Sequence, residues 1–142
     1  MTIFEVETDE QINDCYRAYS ALRPHIVADA FLPKVRRQMA EGFRMVALRD
    51  EGLVVSAAGY RIAEFMAWGR VLYVDDLTTL PASRGKGHGG ALVDWLIAHA
   101  RAAGCDEFHL DSGYMRHDAH RLYLNKGMIL ASHHMTLDLR SR

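Results

Sequence analysis

The chain has 142 residues, enough for one compact domain with a buried core. With 49% apolar residues, 25% charged residues and a net charge of −1, it carries no electrostatic footprint for nucleic acid or a membrane surface. No apolar run reaches transmembrane length, and Met1-Thr2-Ile3-Phe4-Glu5 lacks the basic and apolar regions of a secretory leader. Cys15 and Cys105 read as reduced packing thiols rather than a disulfide, so a single cytoplasmic domain spanning 1–142 is expected.

Thr2–Val6 alternates as an edge strand. Thr8 with Gln11 three residues on reads as a capping box. It opens one helix with Ile12, Cys15, Tyr16, Tyr19 and Leu22 on its inner face. A second helix is predicted over Asp29–Glu41, kinked or started at Pro33, with Val35 and Met39 inward and Arg36 and Arg37 outward. Phe43–Arg49 and Leu53–Ile62 read as a hairpin turned by Asp50-Glu51-Gly52, and Arg70–Thr79 as the next strand. Gly90–Ala103 is the strongest helix, stopped by Gly104. Phe108–Asp111 is a short strand, Asp118–Lys126 a short helix, and Met128–Leu139 strand material. The order β-α-α-β-β-β-α-β-α-β is an α/β (α+β) fold with a mixed, mostly antiparallel central sheet flanked by helices.

Between the Arg70–Thr79 strand and the strongest helix lies Pro81-Ala82-Ser83-Arg84-Gly85-Lys86-Gly87-His88-Gly89-Gly90. Four glycines in the last six positions let backbone N–H groups approach a ligand closely. The following helix adds its unsatisfied donors and the positive end of its dipole, a device suited to a pyrophosphate. A P-loop fails because Lys86 is followed by Gly87 rather than Ser or Thr. Gly85-x-Gly87-x-x-Gly90 has dinucleotide-fingerprint spacing. However, four residues separate it from the strand, and the 52 residues after Gly90 are too few for a second nucleotide-binding half.

The remaining pattern, Arg84-x-x-Gly87-x-Gly89, resembles the acetyl-CoA pyrophosphate loop of the GNAT superfamily of N-acetyltransferases. Asp76-Leu77-x-Thr79-x-Pro81 resembles the strand before it, and Ala119 to Met128 resembles the C-terminal helix, with Arg116 and Met128 departing from the usual Asn and Phe. The element order matches over nearly the whole chain. The resemblance implies acetyl-CoA as acyl donor, no metal, a small-molecule or peptide amine as acceptor, and neither nucleic acid nor membrane as partner; it admits a homodimer. It also implies cofactor contacts from the strand backbone at Leu77, Thr78 and Thr79, where a β-bulge supplies the oxyanion donor. Further contacts fall to Arg84, Gly85, Lys86, Gly87, His88, Gly89 and Gly90, and to Ala119 and Tyr123, which share a helix face. His88 is expected to offer only its backbone.

Acetyl transfer by direct attack, through a tetrahedral intermediate, needs a neutral amine. Deprotonating an amine of pKa ~10.4 at pH 7.5 costs ~4 kcal/mol, which calls for a base. Asp75, Asp76 and Asp111 are the candidates by position, Asp76 and Asp111 first, and Tyr123 is the acid that protonates the leaving thiolate. Asp75 and Asp76, being adjacent on a strand, are expected to face opposite ways. The resemblance places the acceptor among Tyr16, Tyr19, Arg23-Pro24-His25, the loop from Phe65 to Gly69, His133 and His134. The eight histidines show no metal-ligand spacing. The readings left beside the enzyme are a non-catalytic acyl-CoA-binding or partner-binding module on the same fold and, more weakly, a nucleotide-binding module.

Overall fold

The computed structural model describes residues 1–140, and its contacts divide the chain into two compact units, Met1–Leu110 and the segment from Asp111 on. The first unit is a five-stranded sheet whose strands lie in chain order: β1 (Thr2–Glu5), β2 (Arg44–Asp50), β3 (Leu53–Phe65), β4 (Gly69–Thr79) and β5 (Glu107–Leu110). The first three pairings are antiparallel; tight turns join β2 to β3 and β3 to β4, whereas three helices lie between β1 and β2. The pairing of β4 with β5 is parallel, and it spans only Val71–Val74 against Glu107–Leu110. From Asp75 to Thr79, no strand among the described residues pairs with β4 on its β5 side, so the sheet splits open there.

The capping box forms as expected: the Gln11 N–H donates to Thr8 Oγ1 at 3.1 Å, and the Thr8 N–H to Gln11 Oε1 at 3.0 Å. The helix it opens is not continuous. It is divided into α1 (Asp9–Asp14) and α2 (Tyr16–Leu22), because the Cys15 N–H bonds the Ile12 carbonyl three residues back and tightens that turn. Its inner face survives the break, with Ile12, Cys15, Ala18 and Tyr19 buried. The next helix, α3 (Ala28–Ala40), passes through Pro33, which removes one backbone bond near the helix start without ending it.

The strongest helix, α4 (His88–Ala102), starts two residues earlier than the sequence suggests, so Gly89 and Gly90 lie in its first turn. Leu92 and Leu96 are fully buried, each contributing about 1.5–3 kcal/mol of hydrophobic free energy. The sheet separates α4 from α2. On one face the Tyr60 ring packs edge-on against Trp95 and His99 of α4. On the other, Thr78 Oγ1 donates to the Ala18 carbonyl of α2 at 3.0 Å.

In the second unit α5 spans His117–Asn125. The strand expected over Met128–Leu139 is absent: these residues take no regular structure. Ile129, Leu130, Met135, Leu137 and Leu139 are each at least 80% exposed. Alternation and β-branching mark a segment that fits a pleated surface, but a strand exists only where a neighbour pairs with it.

Candidate active site

The site is built on one irregularity in β4. Gly59 of β3 pairs with Asp76, while Tyr60 pairs with Val74, so Asp75 is an extra residue in the ladder. This β-bulge lies at Asp75, not around Leu77–Thr79 as the resemblance suggested. One inserted residue breaks the alternation of a strand. Asp75 and Asp76 therefore turn to the same face, toward α2 and α3, contrary to the alternation expected of neighbours. Downstream the alternation resumes: Thr78 faces α2, and Thr79 Oγ1 lies 2.9 Å from Ser56 Oγ. The side chains of Thr78 and Thr79 are thus committed within the fold, which leaves their backbone as what they can offer a ligand.

Each aspartate is gripped by an arginine. Arg61 Nε and Nη2 donate to Asp75 at 3.0 and 2.7 Å, and the Arg61 guanidinium is further held by Gln38 Oε1 and by the Phe43 ring. Arg23, which ends α2, donates from Nε and Nη2 to Asp76 Oδ1 at 3.1 and 2.8 Å. Asp76 Oδ2 accepts from the Tyr19 hydroxyl at 3.3 Å. Burial pushes the Asp76 carboxyl above the ordinary aspartate value of 3.8, with the Arg23 guanidinium pulling the other way. Burial first, then the Asp76 charge, holds the Tyr19 phenol well above 10.0, so it remains a donor. Tyr19 reaches Asp76 over Gly59, where a Cβ would lie 2.5 Å from the Tyr19 hydroxyl and 2.4 Å from the Phe43 ring. Only a glycine lets both rings cross the strand there.

These groups line a cleft of about 700 Å³ in the first unit, with Tyr19, Arg23, Phe31, Lys34, Asp75 and Asp76 among its walls. Of the residues expected at the acceptor, Tyr19, Arg23 and His25 line it. Tyr16 acts one step behind: its hydroxyl donates to the Ile26 carbonyl at 2.7 Å and holds the loop after Arg23 in place. The loop from Phe65 to Gly69 is not part of this cleft; Trp68 packs on Phe65 and His109 instead. Sequence reading missed Arg61 and Gly59, and the partner of Arg23. The signal was an arginine on the strand that pairs with the one carrying both aspartates.

At the end of β4, a short 3-10 turn (Pro81–Ser83) leads into the glycine loop. Gly85 and Gly87 have φ of 78° and 82°, and Gly87 is the N-cap of α4 and supplies no side-chain cap. The first-turn N–H groups of α4 therefore have no side-chain cap, and Arg84 and Lys86 are exposed just before them. His88 is the first residue of α4, and its imidazole is buried, 5% exposed, with neither ring nitrogen hydrogen-bonded and Nε2 3.9 Å from Asp50 Oδ2, so its backbone is what it can offer a ligand.

In the second unit Ala119 and Tyr123 lie on α5 as the spacing requires, and Tyr123 is 7% exposed. Burial raises the Tyr123 phenol above 10.0 against a lowering by Arg116. Asp111 lies just past β5, about half exposed, with its Oδ1 3.4 Å from His134 Nδ1. His133 Nδ1 lies 3.1 Å from the Tyr114 hydroxyl. Among the described residues no group of three or more His, Cys, Asp or Glu is placed to hold a metal ion.

The comparisons with known proteins agree with this architecture. The chain is 28% identical over 123 residues to an uncharacterized N-acetyltransferase, YhdJ, of Bacillus subtilis, covering 86% of this chain and 87% of that one. Over 54 residues it is 39% identical to an aminoalkylphosphonate N-acetyltransferase of Salmonella typhimurium, 38% of this chain and 35% of the relative. The solved structure of AAC(6')-Iy with the bisubstrate analog CoA-S-monomethyl-acetylneamine shares the fold, with a TM-score of 0.83 at 15% identity over 99% of this chain and 98% of that one. Residues 9–128 match the acetyltransferase (GNAT) family, and the chain belongs to that family of acetyl-CoA-dependent transferases.

Proposed function

We propose that the chain is an N-acetyltransferase that moves an acetyl group from acetyl-CoA to a primary amine of a small molecule or peptide, by direct attack. The observation that carries this reading is the continuity of two features. The edge of β4 lies open from Asp75 to Thr79, and the same strand leads into a helix whose N-cap glycine has φ of 82°. The residues fit the cofactor: the uncapped first turn of α4 suits its pyrophosphate, with Arg84 to Gly90 holding it. The open backbone at Leu77, Thr78 and Thr79 suits an extended arm laid down like an added strand. The family resemblance assigns Ala119 of α5 a cofactor contact as well. When bound, the cofactor supplies an activated thioester; the chain supplies placement and proton transfer.

In this reading Asp76 takes the proton of the amine, Asp111 being the second candidate. Tyr123, kept protonated by burial, is the acid for the leaving thiolate. The relative matched over 54 residues, an aminoalkylphosphonate N-acetyltransferase, and the cleft at Asp76 both support a small-molecule acceptor. The 142 residues work as one cytoplasmic domain, alone or as a homodimer. The clamp of Arg23 and Tyr19 on Asp76 favours one rival, a binding module that has kept the cofactor loop without turnover.

Thermal-shift and calorimetric titration with acetyl-CoA, followed by thiol release with an amine panel, separates them. Acetyl-CoA at about 100 times its Kd should add about 2.7 kcal/mol of stability. Tighter binding of NAD or ATP than of CoA overturns the assignment, and acetyl-CoA binding without acetylation of any amine leaves the binding module.

A further inference from the structure

The two arginine–aspartate pairs on the cleft floor are not equivalent. Arg61 is held by Asp75, by Gln38 and by the Phe43 ring, although its side chain is 35% exposed. Arg23 has no such frame. Its other bond is from Nη2 to the Asp75 carbonyl at 3.3 Å, and its side chain is 41% exposed while that of Asp76 is 15% exposed. Arg23 can leave Asp76 for water or for another anion without burying a charge, whereas Asp76 cannot follow it. If the pair opens, Arg23 is the partner that moves.

The cleft presents three full cations, Arg23, Lys34 and Arg61, against three carboxylates, Glu41, Asp75 and Asp76. Each floor carboxylate already accepts from both Nε and Nη2 of one arginine. A polycationic acceptor therefore meets no open carboxylate on the floor. A plain amine has nothing with which to draw the guanidinium away. A group that competes for Arg23 must itself be an anion, and Lys34, half-buried on α3, adds a second cation for it.

We propose that Arg23 is a latch on Asp76 that the acceptor opens: the acceptor is a small amine that also carries an acidic group, and that group takes the guanidinium and leaves Asp76 to the ammonium. The proposal rests on the reading of Asp76 as base. Opening exchanges one ion pair for another. The ammonium then gives one proton to the Asp76 carboxylate and becomes the neutral nucleophile, with no other reactant involved. Arg23 thus sets specificity and positions Asp76.

The test compares β-alanine and 2-aminoethylphosphonate with propylamine and spermidine on the wild-type protein, by thiol release and by calorimetry. The acidic amines should be favoured over propylamine by roughly tenfold or more in kcat/KM, the worth of one charge-assisted contact, and the better of the two names carboxylate or phosphonate. In Arg23→Ala the preference should collapse from both sides, with the acidic amines losing rate and propylamine gaining it. A purely structural arginine would lower all four together. Propylamine or spermidine acetylated as well as the acidic amines by the wild type overturns the latch while leaving the acetyltransferase standing. If no amine is turned over, the acetyltransferase reading fails. Calorimetry then decides the latch: binding of the acidic amines but not of propylamine supports it, and equal or absent binding overturns it. The wild-type panel decides the matter even if the variant does not fold.

Discussion

Asp75 and Asp76 are consecutive residues of one strand, and both turn their carboxylates to the same face of the sheet, each onto a different arginine. The bulge at Asp75 is the cause, and its effect is electrostatic as well as geometric. Two carboxylates side by side raise each other's proton affinity unless cations intervene. Arg61 and Arg23 intervene, and the balance left at Asp76 is set by burial.

A first prediction concerns pH. Asp76 must be ionised to accept a proton, and burial raises its folded value above 3.8, so kcat/KM should fall as pH falls through that raised value. Asp76→Asn should lose this limb and about 10²-fold or more in rate at its plateau. Stability runs with the opposite sign. A carboxyl raised in the fold contributes stability below its unfolded value, and this is lost as pH rises through the folded value. Wild-type and Asn variant sharing one pH–rate profile would remove Asp76 from the chemistry.

A second prediction concerns Gly59. Its φ is ordinary, so the obstacle to a side chain is space alone: a Cβ there meets the Phe43 ring and the Tyr19 hydroxyl at 2.4 and 2.5 Å. Both rings are nearly fully buried and have little room to retreat. Gly59→Ala should cost about 1–3 kcal/mol in chemical denaturation, as overpacking does. It should also weaken the bond from Tyr19 to Asp76 and move the acid limb of activity. An unchanged denaturation midpoint would show that the cleft wall is softer than the packing implies.

Much of this was legible in the sequence because the signals were local. The capping box at Thr8, the hairpin at Glu51–Gly52 and the glycine run before α4 each depend on a few adjacent residues. The bulge was misplaced because it depends on how β4 pairs with β3, and nothing in Asp75-Asp76 announces a skipped partner. Arg61 was missed for the same reason, since its role appears only across strands. The segment from Met128 to Leu139 carries the right alternation but no partner, and pattern alone made it a strand. The glycine run places the helix start at Gly90 and His88 in the loop, whereas His88 is the first residue of α4 and its ring is buried.

The two thiols should differ in reactivity. Cys15 is buried, and desolvation pushes its thiol up to about 12. Cys105 is only partly covered. The thiolate is the reactive form, so in the native protein an alkylating reagent at pH 8 should label Cys105 and spare Cys15. Labelling of Cys15 should then report global unfolding. Equal native rates for the two would contradict the packing of α1 and α2 described above.

Tyr123→Phe tests the acid. Burial raises the phenol above 10.0, so the group keeps its proton throughout the physiological range. Removing the hydroxyl while keeping the ring should leave acetyl-CoA affinity intact and lower kcat by roughly 10²-fold. A rise in KM for acetyl-CoA at constant kcat would make Tyr123 a binding residue. An unchanged enzyme would assign the proton to water.

Gly87 offers a sharper test of the loop than simple truncation. A Cβ at this position meets nothing within 4 Å, so no clash inside the protein opposes a side chain. The obstacle is its φ of 82°, which costs an ordinary L-residue about 1–2 kcal/mol and which asparagine tolerates better than most. Two mechanisms then predict different orders. If the conformation is what matters, Gly87→Asn should keep most of the acetyl-CoA affinity and Gly87→Val should lose it tenfold or more, with matching losses of stability. If the backbone must touch the pyrophosphate, any Cβ obstructs it, and Asn and Val should weaken binding alike while Asn leaves stability nearly unchanged. Calorimetry and thermal melts on the two variants separate these cases. Full affinity in Gly87→Val would show that the loop does not hold the cofactor.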